Sequence, residues 1–214
     1  MIKYLSYLYP ITRKVTSKYN DTLEITWYNG KKHLNTKNAN YSYGSLQAIL
    51  KYGLKKIDLK QINSILLLGL GGGSVIETLR QDFNYQKQIT AVDIDPVIIE
   101  IAKTEYQLDN NSNTTIICED ALQFIKNNTY KFDLIIIDVF IDINVPKPFL
   151  ELSFWKDIIT SKSSNGVILF NASLEDKKSS QLKSVIEFLK TKVYKVDVYD
   201  KVNDTNTIII CQSL

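Results

Sequence analysis

The chain has 214 residues, with 44% hydrophobic and 23% charged residues and a formal net charge of +3. That is ordinary globular composition for one domain, about 70% of whose unfolded surface folding would bury, and it excludes a disordered chain. Two cysteines (Cys118 and Cys211) and one histidine (His33) exclude a disulfide scaffold, a structural zinc site and His-based triads. Proton transfer is left to a carboxylate, a tyrosine or water. The uncharged run Ile62 to Ile76 is broken by four glycines and is too short to span a bilayer. The stretch Tyr4 to Ile11 is too short and tyrosine-rich for a signal peptide. The expectation is a soluble, cytoplasmic protein that binds a small molecule, with no metal and no membrane.

Charge is uneven. Residues 1–60 carry eleven Lys/Arg against three Asp/Glu, and residues 61–214 carry fifteen against twenty. All the basic residues except Arg13 and Arg80 are lysine. Specific phosphate or base recognition favours Arg's planar fork, so a solvated basic surface is expected and nucleic acid is not.

In chain order, Thr22 to Tyr28 alternates, with Leu23, Ile25 and Trp27 on one face. Asn29-Gly30 and then Lys31 to Thr36 complete a hairpin signal, because both turn positions need positive φ. Residues 1–44 are expected to form a small antiparallel β unit, and residues 45–214 an α/β domain. The apolar face of the β unit needs a partner, either the α/β domain or a second subunit, and a homodimer is expected. Ser45 to Tyr52 has helical periodicity, with Gly53 as its stop.

From residue 61 strands and helices alternate. Strands are expected at Ile65 to Leu68, Ile89 to Ile94, Thr114 to Cys118, Phe132 to Asp138 and Gly166 to Asn171. Helical stripes follow them: Val75, Ile76, Leu79 and Phe83; a helix capped by Asp95-Pro96 and running to Tyr106; Ala121 to Asn127; Phe149 to Ile159; and Leu182, Val185, Ile186 and Leu189. A terminal antiparallel hairpin closes the chain, with strands at Tyr194 to Tyr199 and Asn206 to Cys211. Five βα units and a hairpin make a doubly wound sheet with one reversed strand, an arrangement similar to the class I methyltransferase (Rossmann-like) fold. Cys118 and Cys211 fall on opposite halves of such a sheet, where both are expected to be buried and inert.

Ligands of open α/β sheets bind beyond the carboxyl ends of the strands. Of eight glycines, Gly69, Gly71, Gly72 and Gly73 fall within five residues at the first such end, where backbone N–H groups can approach a ligand. Asp93 ends the second strand, where a carboxylate can accept ribose hydroxyl hydrogens. Its alternative role as a helix N-cap falls to Asp95, which leaves Asp93 free. Glu119-Asp120-Ala121 follows the third strand. Asp120 there can accept from an adenine amine or cap the next helix; both readings stay open. Asp138 ends the fourth strand. This order describes a nucleoside laid across the strand ends with the reacting group near Asp138. An NAD dehydrogenase would share the first two features but needs neither of the later acids.

The stretch Ile65 to Trp155 resembles the spermidine synthase (polyamine aminopropyltransferase) family, itself built on the methyltransferase fold. Leu66 to Val75 looks like its glycine loop, Ala91-Val92-Asp93-Ile94-Asp95-Pro96 like its Val-Glu-Ile-Asp-Pro, and Glu119-Asp120-Ala121 like its Gly-Asp-Ala/Gly. The N-terminal hairpins and Tyr41-Ser42-Tyr43-Gly44 resemble its β domain in shortened form. The resemblance implies S-adenosylmethionine, or its decarboxylated form, held by Gly69, Gly71, Gly73, Asp93, Ile94, Asp120 and Ala121. It implies Asp138 as the catalytic residue that orients or deprotonates the acceptor, with Tyr43 and Asp142 lining the acceptor pocket. The departures are specific. Gly72 stands where the family has the aspartate that helps hold the donor's amine. Asp138-Val139-Phe140-Ile141-Asp142 replaces Asp-Ser-Ser/Thr-Asp-Pro, and Tyr43-Gly44-Ser45 replaces Tyr-His-Glu. A diamine needs acidic partners at both ends, and most of them are missing. The favoured reading is a spermidine synthase-like methyltransferase; the alternatives are an aminopropyltransferase and a non-catalytic nucleoside-binding module.

Overall fold

The computed structural model describes residues 2–36, 40–42, 45–108, 113–141, 144–173, 179–192 and 194–213. A short helix α1 (Ile2–Leu5) precedes an antiparallel sheet of β1 (Ile11–Ser17), β2 (Asp21–Tyr28), β3 (Lys31–Thr36) and β4 (Asn40–Ser42), ordered β1-β2-β3-β4. Asn29 and Gly30 have φ of 48° and 73°, the turn that the Asn-Gly pair anticipates.

The remainder comprises α2 (Ser45–Leu54), β5 (Ser64–Leu68), α3 (Ser74–Gln81), β6 (Gln88–Asp93), α4 (Pro96–Tyr106), β7 (Thr114–Cys118), α5 (Ala121–Asn127), β8 (Phe132–Ile137), α6 (Leu152–Ser161), β9 (Lys162–Ser173), α7 (Ser180–Thr191), β10 (Tyr194–Val202) and β11 (Asn206–Ser213). Seven strands form one sheet in the order β10-β11-β9-β8-β5-β6-β7. All neighbours are parallel except β11, which runs against both β9 and β10. The order reverses at β5, so β5 and its neighbours make the switch point where such sheets bind ligands.

Apolar layers cover both faces of the sheet. One contains Ile65, Leu67, Ile89, Leu134, Ile136 and Leu169 with α2 and α3. The other contains Leu66, Leu68, Ile135, Ile137, Ile168 and Phe170 with Trp155 of α6 and Leu182, Val185 and Leu189 of α7. Strands buried on both faces explain the unbroken apolar runs in their sequences. The N-terminal sheet shares a third cluster with α4: Leu23, Ile25 and Leu34 pack on Ile98 and Ile101. The face that needed a partner therefore finds one within the same chain. Trp27 is only half-buried, with the Lys32 ammonium 5.0 Å from its ring centroid.

Two local expectations change. Gly53 does not stop α2, which continues to Leu54. A Cβ at Gly53 would come 2.6 Å from Leu169 Cδ1 and 3.2 Å from Ile208 Cγ2, so the glycine lets the helix lie close on the sheet. The helix expected from Phe149 begins at Leu152, behind a 3-10 turn over Lys147–Leu150 that follows Pro146.

Candidate active site

The parallel register brings the carboxyl ends of four strands to one level. Leu68 pairs with Val92 and Ile137, and Asp93 pairs with Cys118. Gly69 N–H donates to the Val92 carbonyl at 2.9 Å, Asp138 N–H to Leu68 at 2.9 Å, and Glu119 N–H to Asp93 at 3.0 Å. Gly69, Asp93, Glu119 and Asp138 thus stand along one edge.

The glycine loop needs glycine for stated reasons. Gly69 has φ of 91°, and a Cβ there would meet the Asp138 carbonyl oxygen at 2.1 Å. Gly73 has φ of 86° at the N-cap of α3, and a Cβ there would meet Leu108 Cδ1 at 2.2 Å. Gly71 also has positive φ. A side chain at Gly69 could not sit against Asp138, nor one at Gly73 against Leu108, so the tight turn of the loop depends on glycine.

Asp93 is not the free carboxylate that its position suggested. Its Oδ2 accepts from the N–H groups of Leu70 at 3.0 Å and Gly71 at 3.3 Å, and its Oδ1 from Asp95 N–H at 3.0 Å. The residue is 7% exposed, and burial pushes its carboxyl up to about 6 against those three hydrogen bonds. Asp93 therefore braces the glycine loop as well as ending β6. Asp95 caps α4 through Val97 N–H at 2.9 Å, as expected. Its other oxygen accepts from the Ser17 hydroxyl and from Asn20 Nδ2 at 2.7 Å, which ties the β1–β2 turn to the strand end.

Beside this tether lies a cleft of about 450 Å³ lined by Lys18, Tyr19, Ile94, Asp95, Pro96, Val97, Cys118, Glu119 and Asp120. The volume suits a small organic ligand. Ile94 and Asp120 are thus brought together as anticipated. Asp120 Oδ1 also accepts from Leu122 N–H at 2.7 Å, so the residue caps α5 and lines the cleft at once. Ala121 is buried just behind. Lys18 and Tyr19 were not foreseen. Nothing local marks which hairpin turn will cover a strand end more than 70 residues away.

Cys118 corrects a further expectation: it is exposed, while Cys211 is buried and its thiol is pushed up to about 12 by that burial. Cys118 ends the edge strand of the sheet, where the cleft opens above it.

Asp138 stands one residue beyond β8 against Gly69. Its Oδ1 accepts from Asn171 Nδ2 at 2.8 Å, and burial, opposed by that bond, pushes its carboxyl up to about 6. Val139 and Phe140 follow as partly buried residues packed on the second apolar layer, and Ile141 is 60% exposed. Tyr43 and Asp142, expected to line an acceptor pocket, lie outside the described residues. Among the described residues no group of three or more His, Cys, Asp or Glu could hold a metal ion, and no helix is long and apolar enough to cross a membrane.

The family model described as spermine/spermidine synthase domain matches residues 48–203. The chain belongs to the spermine/spermidine synthase family. It is 31% identical over 137 residues to a polyamine aminopropyltransferase of Vibrio vulnificus, covering 60% of this chain and 46% of that protein. It is 28% identical over 156 residues to an eEF1A lysine and N-terminal methyltransferase homolog of Drosophila melanogaster, covering 69% of this chain and 23% of that one. The match thus spans less than half the length of either relative. Among solved structures, a probable spermidine synthase from Corynebacterium glutamicum superposes with a TM-score of 0.64 at 18% identity, covering 95% of this chain and 77% of that one. Human methyltransferase-like protein 13 in complex with SAH superposes with a TM-score of 0.63 at 24% identity, covering 79% and 80%. At these identities the structures establish the methyltransferase-like fold of this family member.

Proposed function

We propose that this protein is an S-adenosylmethionine-dependent methyltransferase acting on an amino group, with Asp138 as the catalytic residue. The observation that carries the reading is that, among the described residues, no second carboxyl follows Asp138 along its loop. Asp138 is followed by Val139, Phe140 and Ile141, and Gly72 occupies the place of the family's donor-amine aspartate. A diamine with two ammonium ends, or a donor with its own free amine, calls for acidic partners that these positions do not supply. An amino-group acceptor is supported from two sides, because the named relatives include both polyamine and lysine or N-terminal transferases.

The residues present fit a nucleoside donor. The glycine loop turns tightly at the strand end, where a Cβ at Gly69 or Gly73 would collide with Asp138 or Leu108. The cleft offers Ile94 and Tyr19 as apolar walls and Glu119 and Asp120 as acceptors. When bound, the donor supplies a methyl carbon on a positively charged sulfur. Asp138, ionised above pH 6, takes a proton from the acceptor ammonium and frees the nitrogen lone pair to form the new C–N bond as the C–S pair returns to sulfur. The protein's remaining task is alignment.

Calorimetric titration with S-adenosylmethionine, its decarboxylated form, methylthioadenosine and NAD tests the donor. Tight binding of S-adenosylmethionine and methyl transfer to an amine are expected. Preference for the decarboxylated donor would replace this reading with aminopropyl transfer. Binding of none would leave a non-catalytic module.

A further inference from the structure

Three polar side chains meet at the reacting end of the site: partly buried Asp138 just beyond β8, and buried Asn171 and Asn206 on β9 and β11. Ile137 pairs with Phe170, so Asn171 on β9 stands beside Asp138. Asn206, the first residue of β11, pairs with Ser173 two residues further along β9. Asn171 is fully buried and Asn206 is 6% exposed. Asn206 Nδ2 donates to Asn171 Oδ1 at 2.9 Å, and Asn171 Nδ2 donates to Asp138 Oδ1 at 2.8 Å.

We infer that Asn206 and Asn171 form a directional hydrogen-bond relay that holds Asp138 Oδ1 as an acceptor and confines its exchangeable proton to Oδ2. The direction follows from the chemistry of the amide, which has a donor end and an acceptor end. With its oxygen engaged by Asn206, Asn171 has only its N–H to offer Asp138. A donated hydrogen bond favours the ionised carboxylate and opposes the burial that disfavours it. Without Asn206, the Asn171 amide is free to turn, present its oxygen, and stabilise the protonated acid instead. Asn206 is thus a positioning residue that tunes Asp138 without touching it.

The surroundings supply no rival control. The glycine loop against Asp138 carries no titratable side chain. Val139 and Phe140 are apolar, β9 contributes Asn171, and no charged side chain among the described residues contributes to the Asp138 shift. Burying two amides among apolar strands is costly unless both are bonded, so their presence at this end of the core calls for such a role.

The inference rests on Asp138 being the base of the proposed reaction, but its test does not. Carbon-13 NMR titration of the side-chain carboxyls, with the Asp138 signal assigned by its loss in Asp138→Asn, reads the acid directly in the ligand-free protein. Asn206→Leu, with the same number and branching of side-chain heavy atoms and unable to donate, is expected to raise the Asp138 midpoint by about one unit. An unchanged midpoint in the folded variant overturns the relay. Should Asn206→Leu fail to fold, the wild-type protein still decides. The side-chain NH2 signals of Asn171 and of the more distant Asn206 are both expected to titrate with the Asp138 midpoint, and an Asn206 signal that ignores it overturns the relay equally. Methyl-transfer assays of Asp138→Asn test the reaction separately, so either idea can fail alone.

Discussion

Asp138 joins function to instability. Its folded-state carboxyl is raised from 3.8 to about 6. A raised acid contributes stability that is present below the unfolded value and is lost as pH rises through the folded one. Asp138→Asn removes that loss while its amide oxygen can still accept from Asn171. The variant should abolish transfer, and its melting temperature should exceed wild type at pH 7.5, with the gap closing near pH 4. Thermal melts at both values check this, and the ceiling is about 3 kcal/mol for two units. Asp93 behaves differently, because it satisfies three backbone N–H groups. Asp93→Ala strands those donors, so it should destabilise the fold by about 1–3 kcal/mol in urea melts as well as weaken nucleoside binding. At the cleft, Cys118 is exposed and Cys211 is not. One thiol should label rapidly in the native protein, and saturating nucleoside should slow that labelling, whereas slow labelling of both would place β7 wrongly.

Helix α2 shows how a residue's meaning depends on its neighbours. By helix propensity alone, Gly53→Ala should stabilise by about 1 kcal/mol. The added Cβ, however, meets Leu169 and Ile208 side chains on two central strands. Overpacking of that kind costs about 1–3 kcal/mol, so the substitution should lower stability on balance. Denaturant unfolding checks the sign. A stabilised variant would mean that α2 can lift from the sheet without loss.

The N-terminal sheet and the α/β domain are joined by an apolar contact and a polar tether that serve the cleft together. Leu23, Ile25 and Leu34 rest on Ile98 and Ile101. Around that contact, Glu105 of α4 pairs with Arg13 at 2.5 Å and with Lys32 at 2.7 Å. The Asp95 carboxylate holds Ser17 and Asn20 on either side of Lys18 and Tyr19. Ile98 does not itself line the cleft, yet Ile98→Ala should cost about 2–5 kcal/mol of packing and loosen the whole sheet. Faster amide exchange over residues 11–36 is expected, accompanied by weaker nucleoside binding as Lys18 and Tyr19 lose their fixed place. Unchanged binding with raised exchange would remove the β1–β2 turn from the site.

Much of this was legible in residue order alone. Strand and helix alternation, the Asn29-Gly30 turn, the Asp95-Pro96 cap, the clustered glycines and the acids at successive strand ends all rest on periods and turn chemistry that act over a few residues. These sufficed for the family's fold and for the line of Gly69, Asp93, Asp120 and Asp138. Contacts between distant residues decided the rest. The exposure of Cys118 depends on β7 lying at the sheet edge, and the close approach at Gly53 depends on Leu169 and Ile208. The engagement of Asp93 depends on how the glycine loop folds back over it. Ser17 meets Asp95 across 78 residues, and Asn171 and Asn206, 35 residues apart, converge behind Asp138. Side-chain type states what a residue can donate, accept or bury, but a partner is assigned only when strand order and register bring it within reach.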